Sequence, residues 1–504
     1  MCHPIRVTYQ SPDSTVPSAS ISADRNQRAR VLARGQQALS ALPQALLDLG
    51  SIFARNGVEV ALVGGPVRDA FLGRPIHDYD FTTSAAPELT IRLLEEWGDA
   101  VWDIGKKFGT IGAARDGLTV EVTTYRSDQY DPDSRKPNVE FGDSLEGDLY
   151  RRDFTVNAMA VRFPSMELVD PCGGFTDLLD GVLRTPAPAP QSFSDDPLRI
   201  MRAGRFAAQL GFSVTEEVMA AMRDLAGRLE IVSAERVQAE LTRLMVAPEP
   251  RRGIELLVYT GVADIVLPEV AALQDLVDEH RRHKDVYEHT LTVLDQAIAL
   301  ETGADGPVPK PDFVLRFAAL MHDVGKPATR RFESNGSVSF HNHDLVGARL
   351  TAKRMKALRF DKQTMKDVSR LVELHLRFHG YGEQAWTDSA VRRYVSDAGP
   401  LYERLNRLTR ADSTTQNRRK AHWLQAAMDD LEQRVVALKK QEEIDALRPD
   451  LDGAEIMEIL QLRPGREVGM ARKFLLEARI EEGPLGKEEA TRRLLEWWKE
   501  NSSQ

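Results

Sequence analysis

Apolar positions change period along this chain. From about residue 36 to residue 185 they fall in short blocks or alternate; beyond about residue 186 they recur every three to four positions to the end. QQALSALPQALLDLGSIF (36–53) has helical spacing, and EVALVGG (59–65) predicts a buried strand ending in a glycine turn. PVRDAFLG predicts a short helix, HDYDFTT (77–83) a second strand, and TIGAARDGLTVEVTTYR (110–126) a hairpin with GLT near its turn. These make a small mixed sheet with flanking helices. Residues 1–35 are rich in Ser, Pro, Asp and Arg without a period and predict a mobile tail. RSDQYDPDSRKPNVEFGDS (126–144) predicts a mobile polar loop, and TPAPAPQSF (185–193) a Pro-rich linker. GRFAAQLGF, ERVQAELTRLM, RRGIELLVYTGV, EIMEILQLRPG and ATRRLLEWWKE are amphipathic helices, and no internal repeat is visible. The expected fold class is α+β: a mixed-sheet unit followed by a mostly helical remainder.

Composition narrows the class. A chain of 504 residues is too long for one core, so two to four domains are expected, and 42% hydrophobic with 28% charged residues reads as ordinary globular protein. The cysteines are Cys2 and Cys172, too few for a disulfide scaffold and compatible with a reducing cytosol. The first twenty residues lack an apolar signal region, and no run of about 18 apolar residues exists, so a cytoplasmic protein without a membrane span is expected. A net charge of −10 argues against a uniformly basic nucleic-acid surface. It leaves room for local basic clusters at RRD (151–153), RIMRAGRF (199–206) and NRRK (417–420), each of which also reads as a solvated helix face.

The strongest chemical feature is LVGGPVRDAFLGRPIHDYDFTT. Gly64 and Gly65 end a strand and open a helix, where free amides and absent side chains let a phosphate approach. Asp78 and Asp80 are two apart on an expected strand, so both carboxylates point to one face and can converge on divalent ions. Glu121, in EVTTY, can add a third carboxylate. A lone DxD often marks only a turn; the preceding glycine pair favours the metal reading. No GxxxxGK[ST] motif is present, so a Walker-type ATPase is not supported.

GGPVRDAFLGRPIHDYDFTT, RRDFTVNAMA (151–160), DDPLRIMRAGRFAAQLGF (195–212) and ERVQAEL (235–241) resemble, in order, the motifs of the class II tRNA nucleotidyltransferase and bacterial poly(A) polymerase family. The resemblance implies a head at 36–185, a helical neck for base selection and RNA binding at 186–275, a body at 276–440 and a helical tail at 441–504. It implies two Mg²⁺ ions, ATP and CTP as substrates, and the tRNA 3′ end as partner. Arg152 and Asp153 are implied to hold the nucleotide, with Asp153 near the ribose 2′-hydroxyl; otherwise they are a structural pair. Arg68 and Asn157 lie in the same motifs and are expected among the nucleotide-binding groups.

The family motif places Asp196 and Arg199 on the base's Watson–Crick edge. Cytosine and adenine each offer an amino donor beside a ring acceptor; a carboxylate and a guanidinium complement both. Uracil and guanine present the opposite order, so one Asp–Arg pair can accept C and A and reject U and G. The bland alternative is a helix N-cap by Asp195 or Asp196 before Pro197, with Asp195 as cap if both roles hold. Asp195 stands where the family commonly has Glu. Arg202 and Arg205 can meet triphosphate or RNA, or be ordinary exposed arginines. Arg126, Arg135 and Lys136 are expected to help reposition between C and A addition.

Eight of the eleven histidines fall between His280 and His379. HKDVYEHTLTVL (283–294), ALMHDVGKPATR (319–330), FHNHD (340–344) and ADSTTQ (411–416) resemble an HD domain. His289, His322, Asp323 and Asp412 are the expected ligands of a second divalent metal, with His341, His343 and His375 as additional candidates. Such domains often hydrolyse phosphate esters. The leading expectation is a CCA-adding enzyme; poly(A) polymerase, CC-only and A-only addition share the motifs. A metal phosphohydrolase whose head only binds RNA is the reading from another class.

Overall fold

The computed structural model describes residues 18–126 apart from 104, then 142, 144–274, 276, 286–303, 306–334, 338–378, 381, 386–413, 418–442 and 449–501. The chain divides into two compact units, with the boundary between Val232 and Ser233.

The first unit opens with α1 (Ser18–Ser40) and α2 (Gln44–Arg55). Two expectations change here. From Ser18 onward the presumed tail is helix: Arg34 Nε donates to the carbonyl of Phe71 at 2.9 Å, and Gly35 packs so close to the Phe71 ring that a Cβ would overlap it. The single helix expected over 36–53 is broken between Ser40 and Gln44, because Pro43 has no N–H for a helix interior and serves as the N-cap of α2.

There follow β1 (Val60–Val63), α3 (Gly65–Leu72), β2 (Tyr79–Thr83), α4 (Pro87–Trp97), β3 (Ala100–Trp102), β4 (Thr110–Arg115), β5 (Leu118–Thr124), α5 (Leu145–Tyr150), β6 (Ala160–Phe163), β7 (Glu167–Val169) and α6 (Gly174–Asp180). The seven strands form one sheet in the order β3-β4-β5-β2-β1-β6-β7. The pairings are antiparallel except β2 with β5, which run parallel with Asp80 opposite Glu121 and Phe81 opposite Val122. The β4–β5 turn is Asp116-Gly117, both at positive φ, which suits the twist of a tight hairpin. Phe81 and Phe163 meet edge to face at 5.4 Å on the side covered by α2, where Gly50 lies against Phe163. Burying a phenylalanine completely contributes about 1.5–3 kcal/mol, so the face of Phe81 is fixed inward. Asp80 and Thr82, alternating with it, must face the other way. On that other side Tyr125, Leu145 and Leu149 pack with Ala61 and Val63 in one buried cluster.

The unit is completed by β8 (Val182–Leu183), α7 (Ala189–Asp195), α8 (Leu198–Leu210), β9 (Ser213–Val214) and α9 (Glu216–Leu225). The stretch expected as a Pro-rich linker is the start of α7, with Ser192 and Phe193 completely buried. Proline at the first turn of a helix loses no hydrogen bond, so its richness here starts a helix instead of spacing domains.

The second unit is helical: α10 (Ala234–Met245), α11 (Pro250–Tyr259), α12 (Ala263–Val266), α13 (Pro268–Ala271), α14 (Val286–Ala299), α15 (Phe313–Met321) and α16 (Lys326–Thr329) lead to a hairpin of β10 (Arg331–Phe332) and β11 (Val338–Ser339). Then come α17 (His343–Ala357), α18 (Lys362–Leu374), α19 (Asp388–Ala398), α20 (Tyr402–Asp412), α21 (Arg418–Glu442), α22 (Gly453–Leu460), α23 (Arg466–Glu482) and α24 (Lys487–Asn501). A buried pair ties its base: Arg316 donates to both oxygens of Glu301 and to the carbonyls of Met245 and Ala247, which satisfies carbonyls left open at the end of α10. α22–α24 form a small core of their own around Ile456, Leu475 and Leu494.

Candidate active site and metal centre

Two acids share the polar face of the sheet, and a third stands just before it in the chain. Asp80 on β2 lies opposite Glu121 on β5, and side chains opposite each other in a parallel pair project to the same side. Asp78 precedes Tyr79, the first residue of β2, by one position and is not the expected strand residue. All three carboxylates are exposed. Crowding by protein atoms, then the charges of Glu121 and Asp78, raise the Asp80 carboxyl above its ordinary range, against the opposing pull of Arg152. The neighbouring carboxylates make Asp80 harder to ionise, an arrangement that a divalent cation relieves.

The glycine turn stands beside them. Gly64 has φ 80 and ψ −128, and α3 starts at Gly65 with Pro66 in its first turn. A Cβ on Gly64 would lie 3.2 Å from Arg152 Nη1, so the absent side chain leaves room for that guanidinium. Asp153 is buried. Its Oδ1 accepts from the amide of Phe154 at 2.7 Å and from Asn157 Nδ2 at 3.0 Å. Its Oδ2 is 2.9 Å from Arg202 Nη2, but the approach lacks hydrogen-bond geometry, and that oxygen has no hydrogen-bond partner. Arg152 Nε and Arg202 Nε are also buried without one. Buried polar atoms left unmatched in this way fit a polar ligand. Burial alone would raise the Asp153 carboxyl; Arg202, Asn157 and Arg199 reverse this and hold it below the ordinary range. Arg68 and Asn157 sit behind this layer. Both are buried, and Arg68 Nη1 donates to Asn157 Oδ1 at 2.6 Å. Asn157 holds Asp153, and Arg68 in turn holds Asn157.

Asp196 occupies the joint between α7 and α8, where its Oδ1 accepts from the amide of Leu198 at 3.2 Å. The cap expected of Asp195 is not made: Pro197 stands at the N-cap of α8, and Asp195 accepts from Gln191 Nε2 at 2.6 Å. Arg199 is buried, with Nη1 donating to Ser192 Oγ at 2.7 Å and Nη2 to the carbonyl of Arg151 at 2.5 Å. Arg205 is also buried, its guanidinium 3.9 Å from the centre of the Phe206 ring. Arg202 is about one-third exposed. Arg135 and Lys136, with the polar loop from 127 to 141, lie outside the described residues.

In the second unit, six ligand-type side chains meet in two adjoining groups. His289, His322 and Asp412 form one; Asp323, His343 and His375 form the other; within each, the candidate ligand atoms are within 4.8 Å of one another. His289 Nε2 is 3.0 Å from Asp412, and Asp323 is 3.3 Å from His322 Nε2 and 3.4 Å from His343 Nε2. His322, His343 and His375 each place Nδ1 2.7–2.8 Å from the carbonyl three residues earlier. That bond fixes the ring and turns Nε2 inward. His322 Nε2 and His375 Nε2 are buried without hydrogen-bond partners, and Asp323 Oδ2 is ion-paired with Lys326 Nζ at 2.8 Å. Imidazole nitrogens and carboxylates together suit a divalent transition metal, and the orphaned atoms show that these residues fit one. Burial would lower the His322 imidazole, but Asp323 and Asp412 push it up to about 10; burial and the nearby His322 lower His375 to about 4. His341 is exposed and joins neither group. His280, His283 and His379, and residues 414–417, lie outside the described residues.

Residues 60–184 match the family described as "Poly A polymerase head domain", 211–274 "Probable RNA and SrmB- binding site of polymerase A", and 286–438 "HD domain". An "A-adding tRNA nucleotidyltransferase" of Deinococcus radiodurans is 34% identical over 455 residues, covering 88% of this chain and 96% of that protein. The chain belongs to the class II tRNA nucleotidyltransferase family.

A "CCA-adding enzyme" of Streptococcus sanguinis is 41% identical to this nucleotidyltransferase over 227 residues, 44% of the chain and 55% of that protein. The CCA-adding enzyme of Bacillus stearothermophilus in complex with CTP has the same fold, with a TM-score of 0.62 at 24% identity over 91% of this chain and 98% of that one. That of Thermotoga maritima complexed with tRNA matches at TM-score 0.55 and 17% identity, over 90% and 94%. Membership sets aside a hydrolase whose head only binds RNA. Among the described residues of this nucleotidyltransferase no helix is long and apolar enough to cross a membrane. One site residue escaped the sequence reading. Asp148, 1% exposed, contacts Arg151 and Arg152 of the RRD motif. An acid three and four positions before two arginines was the available signal.

Proposed function

We propose that this nucleotidyltransferase adds CMP and AMP from CTP and ATP to the 3′ end of tRNA. The observation that carries transfer at this site is the common face of Asp80 and Glu121 beside the Gly64 turn, with Asp78 two residues before Asp80. These carboxylates would hold two Mg²⁺ ions, which supply activation of the attacking 3′-hydroxyl and charge neutralisation at the leaving pyrophosphate. Arg152, directed at the glycine turn, meets the triphosphate. Asp153 Oδ2 accepts the ribose 2′-hydroxyl and so favours ribonucleotides. Asp196 accepts from the amino group of C or A while Arg199 donates to the adjacent ring nitrogen. The anchoring of Arg199 to Ser192 and to the Arg151 carbonyl limits its swing, which supports selection without a template.

The test uses tRNA lacking all three terminal nucleotides, and tRNA lacking only the last A, with each NTP alone and then together. CTP incorporation on the first and one AMP on the second support CCA addition. A second reading is A-only addition, favoured by the Deinococcus radiodurans relative that spans most of the chain; it expects AMP transfer on the second substrate and no CMP on the first. Long A tracts on unrelated RNA would identify a poly(A) polymerase. For the second unit, we infer a metal-dependent phosphohydrolase acting on 2′,3′-cyclic or 2′-phosphate ends, with the six His and Asp side chains as ligands. Loss of phosphatase activity in His322→Ala, with nucleotide transfer retained, is the expected result.

A further inference from the structure

The transfer site contains a buried acid that none of these roles uses. Asp148 Oδ1 accepts from Arg151 Nη2 at 2.8 Å, Arg151 Nε at 3.1 Å and the amide of Arg126 at 3.3 Å. Its Oδ2 accepts from Arg152 Nη2 at 3.2 Å and from the Thr82 hydroxyl at 3.4 Å. Burial alone would raise this carboxyl; Arg152 and Arg151 reverse that and keep it below the ordinary range, so it is an anion at neutral pH.

Its contacts lead to three parts of the site. Thr82 is two residues along β2 from Asp80 and on the same face. Arg152 extends to the Gly64 turn. The carbonyl of Arg151 receives the hydrogen bond that anchors Arg199. An ion cluster kept for stability alone is a weak explanation, since apolar replacements of buried ion pairs are often neutral or better. We propose that Asp148 is a positioning residue for both ends of the nucleotide: it holds Arg152 towards the phosphates directly, and Arg199 towards the base through the Arg151 carbonyl. This rests on the reading in which Arg152 and Arg199 meet the incoming nucleotide.

The experiment compares wild type, Asp148→Asn, Arg152→Gln, the double variant D148N/R152Q and Asp80→Asn in the full-length enzyme, on tRNA lacking its terminal A. KM and kcat for ATP, incorporation of UTP and GTP, and thermal stability are measured. Asp148→Asn is expected to raise KM for ATP about tenfold, the scale of one loosened charge-assisted hydrogen bond, and to increase misincorporation. The double variant is expected to exceed Arg152→Gln in KM by less than Asp148→Asn exceeds wild type, because part of the acid's effect runs through that arginine, and to misincorporate more than Arg152→Gln, because the other part runs through Arg199. Wild-type KM and base choice in Asp148→Asn, or KM losses that multiply in the double variant, would overturn the proposal. Should Asp148→Asn fail to fold, incorporation of UTP and GTP by the double variant against Arg152→Gln decides: a rise supports the role of the acid towards Arg199, and no change overturns it. Activity surviving in Asp80→Asn sinks the underlying catalytic reading; an inactive Asp80→Asn beside an unaffected Asp148→Asn sinks only the role of Asp148.

Discussion

Replacing Gly64 by alanine perturbs the backbone and a neighbour together. At φ 80 and ψ −128 the residue occupies territory that side chains avoid, and holding alanine there costs about 1–3 kcal/mol. The new Cβ would sit 3.2 Å from Arg152 Nη1, closer than comfortable contact, so the guanidinium must yield by a few tenths of an ångström. A loss near 2 kcal/mol, taken with about 2–4 °C per kcal/mol for a unit of this size, lowers its melting temperature by about 4–8 °C. Misplacing a phosphate-facing group costs binding, so KM for ATP is expected to rise about tenfold. Gly57→Ala separates the two effects: Gly57 has φ 69 with nothing near its Cβ position, so it should lose about 1 kcal/mol and keep its KM. The assay is single-nucleotide extension of tRNA lacking its last A, beside a thermal melt. Wild-type KM in Gly64→Ala, or an equal rise in Gly57→Ala, would refute the assigned closeness of Arg152 to the phosphates.

Asp80→Asn should abolish transfer, by roughly a hundredfold or more, yet melt higher than wild type without added divalent ions. The Asp80 carboxyl is raised in the fold, so above its ordinary range its ionisation opposes folding, and asparagine removes that cost. Arg199→Ala should relax discrimination against UTP and GTP while leaving measurable turnover; unchanged selectivity would reject the Asp196–Arg199 pairing. In EDTA-treated protein, His322 is raised from its ordinary 6.5 to about 10, so its contribution is full below about 6.5 and fades towards pH 10. Asp323 and Asp412 are held well below 3.8, so theirs fades only in acid. Melting temperature of the second unit should fall through alkaline pH when metal-free and hold when loaded with Mn²⁺; parallel curves would count against the ligand set.

The elements nearest the chemistry were the easiest to read. The glycine turn, Asp80 on β2 and the HD doublet have short spacings that translate directly into faces and turns. The break at Pro43 was legible in principle, but the periodicity on both sides hid it. What escaped depends on contacts between distant residues: Ser18–Ser40 is helical without an apolar period of its own, and is held through contacts such as those of Arg34 and Gly35 with Phe71. Likewise no local pattern announces that Arg68 backs Asn157 across 89 positions, or that Arg199 is anchored to a carbonyl 48 positions away. The sequence offered His341, His343 and His375 alike as added ligands; the packing of α17 against α18 separates the two that join the cluster from His341.

The parallel pairing of β2 with β5 carries one more consequence. Phe81 and Val122 are partners on the oily side; Asp80 and Glu121 are partners on the wet side. A slip of one residue would swap the two sides, burying acids and exposing aromatics, which the molecule cannot tolerate. Catalytic alignment is therefore inherited from correct packing, so misaligned enzyme should be rare: chains that fold at all arrive with their acids in line.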